Sequence, residues 1–201
     1  MARIPSWHGD CRTRRSRSSR STNDQRDTVW CRQRGRLLNV ERLVRLGVDD
    51  AGEVLTVQRA AYVTEAQAHD DVGLPPLQQT LPELAAELAD PAVLALGWRD
   101  TNGRLVAAAR AHVSGANPDI AKISRLTVAP DRQGQGLGTR LLAAIEAELP
   151  ADVTELRLFT GERSEGNLRL YASAGYTETG REPTGAGYSL VHLSKPRNPS
   201  R

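Results

Sequence analysis

The sequence predicts a mixed α/β fold, a central sheet with helices on its faces, on the strength of three observations. Residues 93–98 and 105–113 are apolar runs of strand length joined by 100–103, and the Asn102-Gly103 pair between them is a strong hairpin signal. A third run, 120–128, leads to a glycine-rich turn at 133–138 that opens an amphipathic helix over 137–149. A strand at 154–159 follows that helix. The chain therefore meanders first and then makes a strand-helix-strand crossover, which gives a sheet of mixed direction.

The remaining elements follow in order. Residues 37–46 alternate well enough for a first strand. Asp49 and Asp50 offer N-caps for a helix reaching about Tyr62, with Val54, Leu55, Gln58 and Ala61 setting its faces. Residues 72–79 read as a loop stiffened by Pro75 and Pro76, and Thr80 with Glu83 forms a capping box that opens a short helix to Leu88. A helix over 167–174 and closing strands at 176–180 and 188–193 complete the chain.

Length and composition narrow the function classes. The 201 residues, 39% hydrophobic and 25% charged, suit one generous domain. No window nears eighteen consecutive apolar residues, and an Arg/Ser run stands where a secretory peptide would carry its apolar stretch. A cytoplasmic protein with no membrane span is expected. The only cysteines are Cys11 and Cys31, and no Cys or His cluster has zinc spacing, so neither a disulfide scaffold nor a metal site is expected.

Charge divides unevenly along the chain. Residues 1–36 hold ten arginines against three aspartates, a net of +7, whereas 37–201 carry a net of −4. Residues 1–36 therefore read as a disordered basic tail, 37–195 as the folded domain and 196–201 as a flexible C-terminus. The tail has three readings: a nucleic-acid or acidic-partner arm acting through counterion release, a transit peptide, or no role at all. The last is favoured. Arginine outnumbers lysine 25 to 2, the mark of a GC-rich gene, in which an upstream start codon read in error would append such text before a true start at Val29, Leu37 or Val40.

The chemistry concentrates in residues 123–149. The strand ends at Val128, Pro130 stops its ladder, and Gly134, Gly136 and Gly138 let the chain turn tightly into a helix. Unpaired N–H groups and the positive helix end converge there into a phosphate cradle, with Arg132 and Arg140 adding positive charge. The spacing is not that of a nucleoside-triphosphate loop, which needs Gly-Lys before Ser/Thr. Nor is it a dinucleotide fingerprint, whose third glycine would fall where Thr139 stands. For the glycines alone, a tight structural turn is the competing reading.

A longer pattern adds to this. Gln133-x-x-Gly136-x-Gly138 follows a strand ending Leu126-Thr127-Val128-Ala129-Pro130, and a helix, a strand and Leu170-Tyr171-x-x-x-Gly175-Tyr176 come after it. Together these segments resemble the GCN5-related N-acetyltransferase (GNAT) family over roughly 37–195. The first is similar to that family's Gln/Arg-x-x-Gly-x-Gly/Ala acetyl-CoA motif and the second to its Leu-Tyr-x-x-x-Gly-Phe/Tyr motif. The resemblance implies a mostly antiparallel central sheet flanked by helices, a splayed strand pair holding acetyl-CoA as co-substrate, and no metal. By the same resemblance the main chain of Leu126, Thr127 and Val128 pairs with the pantetheine arm. The N–H groups of Gln133, Gly134, Gln135, Gly136, Leu137, Gly138 and Thr139 hold the pyrophosphate, and the Val128 N–H donates to the thioester carbonyl. Tyr171 matches the family tyrosine that hydrogen-bonds the sulfur and can protonate the departing thiolate. With a thiol pKa of about 8.5 and a tyrosine pKa of about 10, full transfer is uphill by about 2 kcal/mol, so hydrogen-bond stabilisation is an equal reading. A core tyrosine on an amphipathic helix is the plain alternative.

Two positions depart from the family pattern. Many members carry an asparagine seven residues before the tyrosine to bind the pantetheine. Here Ser164 stands there and Asn167 one helical turn on, and either can serve the pantetheine or cap the helix. Histone-type members place a glutamate, as general base, where this chain has Lys122, and an ammonium cannot act as a base at neutral pH without strong desolvation. The base is open among Asp119, Glu65, His112 and Ser124, the last holding a water on the strand face it shares with Lys122 and Leu126. The implied acceptor pocket spans about 59–80, where Glu65, Asp70 and Asp71 form an acidic rim that would attract a cationic amine, and His69 reads as part of a solvated loop cluster.

The expected activity is transfer of an acetyl group to a primary amine of a small molecule or peptide by direct attack in a ternary complex, with a small amine or polyamine favoured. The alternatives are a non-catalytic acyl-CoA-binding regulatory module and nucleic-acid binding through the Arg-rich tail. This fold often dimerises through its last strands, so a homodimer is among the partners it allows.

Overall fold

A computed structural model describes residues 41–197. In chain order these form β1 (Arg42–Arg45), α1 (Ala51–His69), α2 (Pro75–Gln78), α3 (Leu81–Ala89), β2 (Val93–Arg99), β3 (Leu105–Val113), β4 (Ile120–Val128), α4 (Leu137–Glu148), β5 (Glu155–Gly161), α5 (Glu165–Ser173), β6 (Thr177–Pro183) and β7 (Ser189–Pro196). The basic tail, both cysteines, the candidate starts at Val29, Leu37 and Val40 and the last four residues lie outside the described range.

The local signals act as their chemistry requires. Gly103 takes a φ of +82° in the β2–β3 turn, where the Asp100 N–H donates to the Arg104 carbonyl at 2.9 Å. At the start of α3 the Glu83 N–H donates to Thr80 Oγ1 and Glu83 Oε2 accepts from the Thr80 N–H, the reciprocal capping box. Two sequence expectations need correction. Helix α1 runs two turns past Tyr62, because Ala66 and His69 continue its buried face and Asp70 closes it from the left-handed region at φ 52°. Residues 75–78 are a helical turn rather than loop, since proline is tolerated at the first helical positions, where no intrahelical N–H bond is needed.

All neighbouring strands in the order β1-β2-β3-β4-β5-β7-β6 are antiparallel except β4 and β5, the parallel pair made by the crossover through α4. Alternation along β3 sorts the core into two layers. Ala107, Ala109 and Ala111 join Leu141, Leu142, Ile145 and Tyr171 under α4 and α5, while Ala108 joins Val54, Val57, Leu84 and Leu88 under α1 and α3. At the chain's end β7 reaches Pro196, and Arg197 donates to the carbonyls of Leu149, Pro150 and Val153. Among the described residues no helix is long and apolar enough to cross a membrane.

One irregularity governs the middle of the sheet. Ala108 pairs with Thr127 but Arg110 pairs with Ser124, so two residues of β4, Arg125 and Leu126, face the single Ala109. Arg125 takes a φ of +54°, a left-handed conformation that costs a side-chain-bearing residue about 1–3 kcal/mol. A bulge of this kind bends its strand and sharpens its twist. Accordingly β4 pairs with β5 only over Ile120–Lys122 against Glu155–Arg157, and from Ile123 onward the two strands are apart.

The packing between β2 and β3 predicts a sensitive glycine. A Cβ at Gly97 would lie 2.7 Å from Leu105 Cδ1 and 2.9 Å from the Ala107 carbonyl oxygen. Gly97→Ala is expected to lower stability by about 1–3 kcal/mol, read as a lower urea midpoint with unchanged slope.

Candidate active site

The cradle is built from main chain. Gly134 and Gly136 hold φ of +73° and +74°, and Gly136 caps α4 from that left-handed conformation. The first intrahelical-type bond is Arg140 N–H to the Gly136 carbonyl, at 3.1 Å. The N–H groups of Gly134 to Thr139 therefore have no acceptor among the described residues and point outward from the positive end of α4. Gly138 lets the helix start approach its neighbours, since a Cβ there would sit 3.2 Å from Leu170 Cδ1 and 3.7 Å from Val128 Cγ2. Arg132 and Arg140 are less free than the sequence suggests. Both donate to Glu41, Arg140 at 2.7 Å, and Arg140 also lies over the Trp98 ring at 4.5 Å.

Strand geometry supplies the second part. The Ala129 N–H donates to the Val106 carbonyl at 2.8 Å, so the preceding pair, Val128 and Ala107, is the non-bonded pair of the antiparallel ladder. The Val128 N–H consequently turns away from β3, into the opening between β4 and β5. Gln133 Nε2 donates to the Val128 carbonyl at 3.2 Å. A cavity of about 1140 Å³ follows this opening from the cradle to α1 and the β6–β7 turn, lined along β4 by Ile123 to Val128. A loop of unpaired amides at one end and an unpaired strand edge along the side fit a diphosphate joined to an extended amide-bearing arm.

Tyr171 enters the cavity from α5. Burial pushes its hydroxyl well above the usual tyrosine pKa, with Tyr62 and Glu65 adding to the effect. Its ring meets Tyr176 edge-on at 5.9 Å. Tyr62 is likewise raised by burial, with the Arg125 guanidinium acting in opposition. Glu65 accepts from Ser164 Oγ and, at 3.0 Å, from Asn167 Nδ2. Neither Ser164 nor Asn167 uses its side chain to cap α5, the outcome the sequence left open. Glu65 belongs to α1 and its two donors to the N-cap position and first turn of α5, helices on opposite faces of the sheet, and they touch because the sheet is open between β4 and β5.

The four candidate bases separate by position. Glu65 and Ser124 line the cavity. Asp119 is exposed at the far end of β4, and His112 is in register with Lys122 away from the opening. The bulge also changes which residues share a face. Ser124 pairs with Arg110, on the α1 side, whereas Leu126 and Val128 pack with the α4–α5 layer, so Ser124 and Leu126 face opposite ways.

The solvated cluster expected at 69–71 is largely built in. His69 is buried, its Nδ1 lies 2.9 Å from the Glu65 carbonyl and its Nε2 accepts from the Arg163 N–H at 3.3 Å. The Nε2 acceptor role places the proton on Nδ1. A Cβ on Gly161 would overlap this ring, so glycine is required there. Asp71 accepts from the Tyr188 hydroxyl at 3.0 Å and the Gly73 N–H at 2.8 Å, while Asp70 is exposed and does not line the cavity.

Sequence reasoning missed Tyr62, Arg125, Arg163 and Tyr188 as cavity residues. Tyr62 stands one helical turn before Glu65, a spacing that could have found it. It also missed the buried network under the acceptor side. Arg110, 2% exposed, donates to Glu87 at 2.9 Å and to Gln58 Oε1, and Gln58 in turn donates to the Pro76 carbonyl at 2.8 Å and to Gln79 at 2.9 Å. Burial lowers the Arg110 pKa to about 10 against the opposing pull of Glu87.

An anion cradle opening onto a slot between two splayed parallel strands has the form of a site for a long phosphorylated ligand. Residues 60–176 match the model of the acetyltransferase (GNAT) family, and the chain belongs to that family. It is 30% identical over 145 residues to UPF0157 protein YqkA of Bacillus subtilis (strain 168), a match covering 71% of this chain and 40% of that protein, so the chain spans less than half of that relative's length. Its fold is similar to the ribosomal-protein-S18-alanine N-acetyltransferase from Escherichia coli, with TM-score 0.63, 22% identity and coverage of 78% and 94% of the two chains. It is also similar to the PaiA N-acetyltransferase from Thermoplasma acidophilum in complex with coenzyme A, with TM-score 0.63, 15% identity and coverage of 79% and 99%. The mostly antiparallel, helix-flanked sheet expected from the sequence is the fold observed.

The buried tyrosines predict alkaline sensitivity. Tyr171 and Tyr176 both have raised pKa values, chiefly through burial, so their contribution to stability is complete below the ordinary tyrosine pKa of about 10. Above it the unfolded chain releases protons that the folded chain retains, and stability falls. The urea midpoint should drop between about pH 9.5 and 11, and the drop should be shallower in Tyr171→Phe.

Proposed function

We propose that the chain is an acetyl-CoA-dependent N-acetyltransferase that moves an acetyl group to the primary amine of a small molecule or peptide by direct attack in a ternary complex. The observation that carries this reading is the placement, on one cavity, of the unpaired amides of Gly134 and Gly136–Thr139, the outward Val128 N–H and the buried Tyr171 hydroxyl, while Gln135, bonded through its side chain to Arg132, does not line it. Family membership supports the same class of reaction. Bound acetyl-CoA would supply an activated thioester and a thiolate leaving group.

The residues then divide the work. The amides from Gly134 to Thr139 take the diphosphate, the Gln133 N–H being spent on the Pro130 carbonyl, and the main chain of Leu126 and Val128 takes the pantetheine arm in the place that β5 vacates, while that of Thr127 is turned to Ala108 in the β3 ladder. The Val128 N–H donates to the thioester carbonyl oxygen, where negative charge develops. Tyr171 donates a hydrogen bond to the sulfur. Its burial raises the cost of full proton transfer beyond the roughly 2 kcal/mol that separates an ordinary thiol from an ordinary tyrosine, which favours hydrogen-bond stabilisation over transfer. Glu65 is the one candidate base that is both a carboxylate and a cavity residue, and Ser164 and Asn167 orient it rather than the pantetheine.

Calorimetric titration of acetyl-CoA into the full chain should give micromolar binding that Gly136→Glu, checked for folding by circular dichroism, abolishes. Tyr171→Phe should lower the rate of thiol release with an amine acceptor by about ten- to hundredfold while leaving acetyl-CoA affinity within about twofold. Unchanged turnover removes the role given to Tyr171. Binding without thiol release from any amine would instead support the acyl-CoA-binding regulatory module.

A further inference from the structure

We infer that the acceptor is a small molecule carrying an anionic group beside its amine, an α-amino acid in the simplest case, and that Arg125 receives the anionic group. The inference rests on the proposed acetyl transfer and names the substrate class of that same cavity.

Arg125 is the extra residue of the β4 bulge, held at φ +54° where a glycine would be unstrained. Bulges re-aim side chains, and this one sends a half-buried guanidinium into the cavity, with its central carbon 6.0 Å from the centre of the Tyr62 ring. Arg99, Arg104, Arg110, Arg132 and Arg140 all end on carboxylates. Arg125 has no carboxylate partner among the described residues. A partly desolvated cation left without a counter-charge is unfavourable, and a ligand anion would offset that.

The carboxylates around the cavity are each held in place, Glu65 and Asp71 by neutral donors that leave their charge free to meet an ammonium. Glu65 has Ser164 and Asn167, Asp71 has Tyr188 and the Gly73 N–H, and Glu165 has Arg169. Arg163, another cation of the cavity wall, donates through its side chain only to the carbonyls of His69 and Gly187 among the described residues, at 3.4 and 3.3 Å. The buried Arg110 guanidinium adds positive potential on the same sheet face as Ser124. A polyamine would therefore place its second positive charge among arginines. An amine with a neighbouring carboxylate instead presents its ammonium toward Glu65 and Tyr171 and its carboxylate toward a planar two-pronged donor.

The test uses the full chain and free-thiol release. Each of the twenty protein amino acids is assayed beside its carboxamide, with spermidine as the cationic comparator. At least one amino acid should be used with kcat/KM about thirtyfold or more above that of its carboxamide. Arg125→Gln should bring this ratio close to one, mainly through KM, and Arg125→Lys should restore part of it, with acetyl-CoA affinity by calorimetry unchanged in both. Acid and carboxamide used equally, spermidine used better than any amino acid, or no amino acid used by protein that binds acetyl-CoA would each overturn the assignment. Protein that binds no acetyl-CoA overturns the acetyltransferase reading itself.

Discussion

A sheet normally satisfies its strand edges with neighbouring strands, and here the bulge at Arg125 prevents that for half of β4. Most of the site depends on this opening. It frees main-chain groups on β4, lets residues of α1 meet residues of α5 through the sheet, and leaves room for a cavity where a continuous sheet would have side-chain layers. The parallel β4–β5 contact survives only at Ile120–Lys122, close to where Thr154 and Glu155 donate to the Asp119 carbonyl. The strands thus diverge from a tethered end.

An open sheet must be stabilised elsewhere. The two apolar layers provide most of this, since Leu84, Leu141, Leu142, Ile145 and Leu156 are fully buried on either side of the alanine-rich β3. Polar contacts then close the opening at its edges. The Arg110 network ties β3 to α1, α2 and α3, and His69 packs against Gly161 and Tyr188 to hold the end of α1 on the start of the β5–α5 loop. These groups rigidify the walls without filling the space between them.

Much of this was legible in the sequence. β3 and β4 fall on 105–113 and 120–128 as read, and α4 begins at Leu137, because apolar runs, an Asn-Gly turn and a glycine-rich strand-to-helix junction are strong local signals. The end of α1 was not legible, since Glu65 and His69 look like the polar residues of a loop until a second element covers them. The bulge left no signal either. Left-handed backbone is ordinarily marked by glycine or asparagine, whereas position 125 holds arginine in an otherwise regular strand. That single hidden irregularity misplaced Ser124 relative to Leu126 and concealed Arg125 as a cavity residue. The acidic rim was legible only in part: Glu65 and Asp71 line the cavity and Asp70 does not, and the neutral donors that hold Glu65 and Asp71 come from residues about a hundred positions away.

The cradle offers a ligand only groups that every residue except proline possesses. Gln135, Leu137 and Thr139 contribute an amide whatever side chain follows it, so a gene encoding this fold can change those codons widely and keep the donors in place. The burden of inheritance falls instead on Gly134 and Gly136, whose left-handed backbone few other residues tolerate, and on Gly138, where the space beside Leu170 is already taken. A binding surface of this kind can persist through deep sequence divergence while leaving only a few glycines as its written trace.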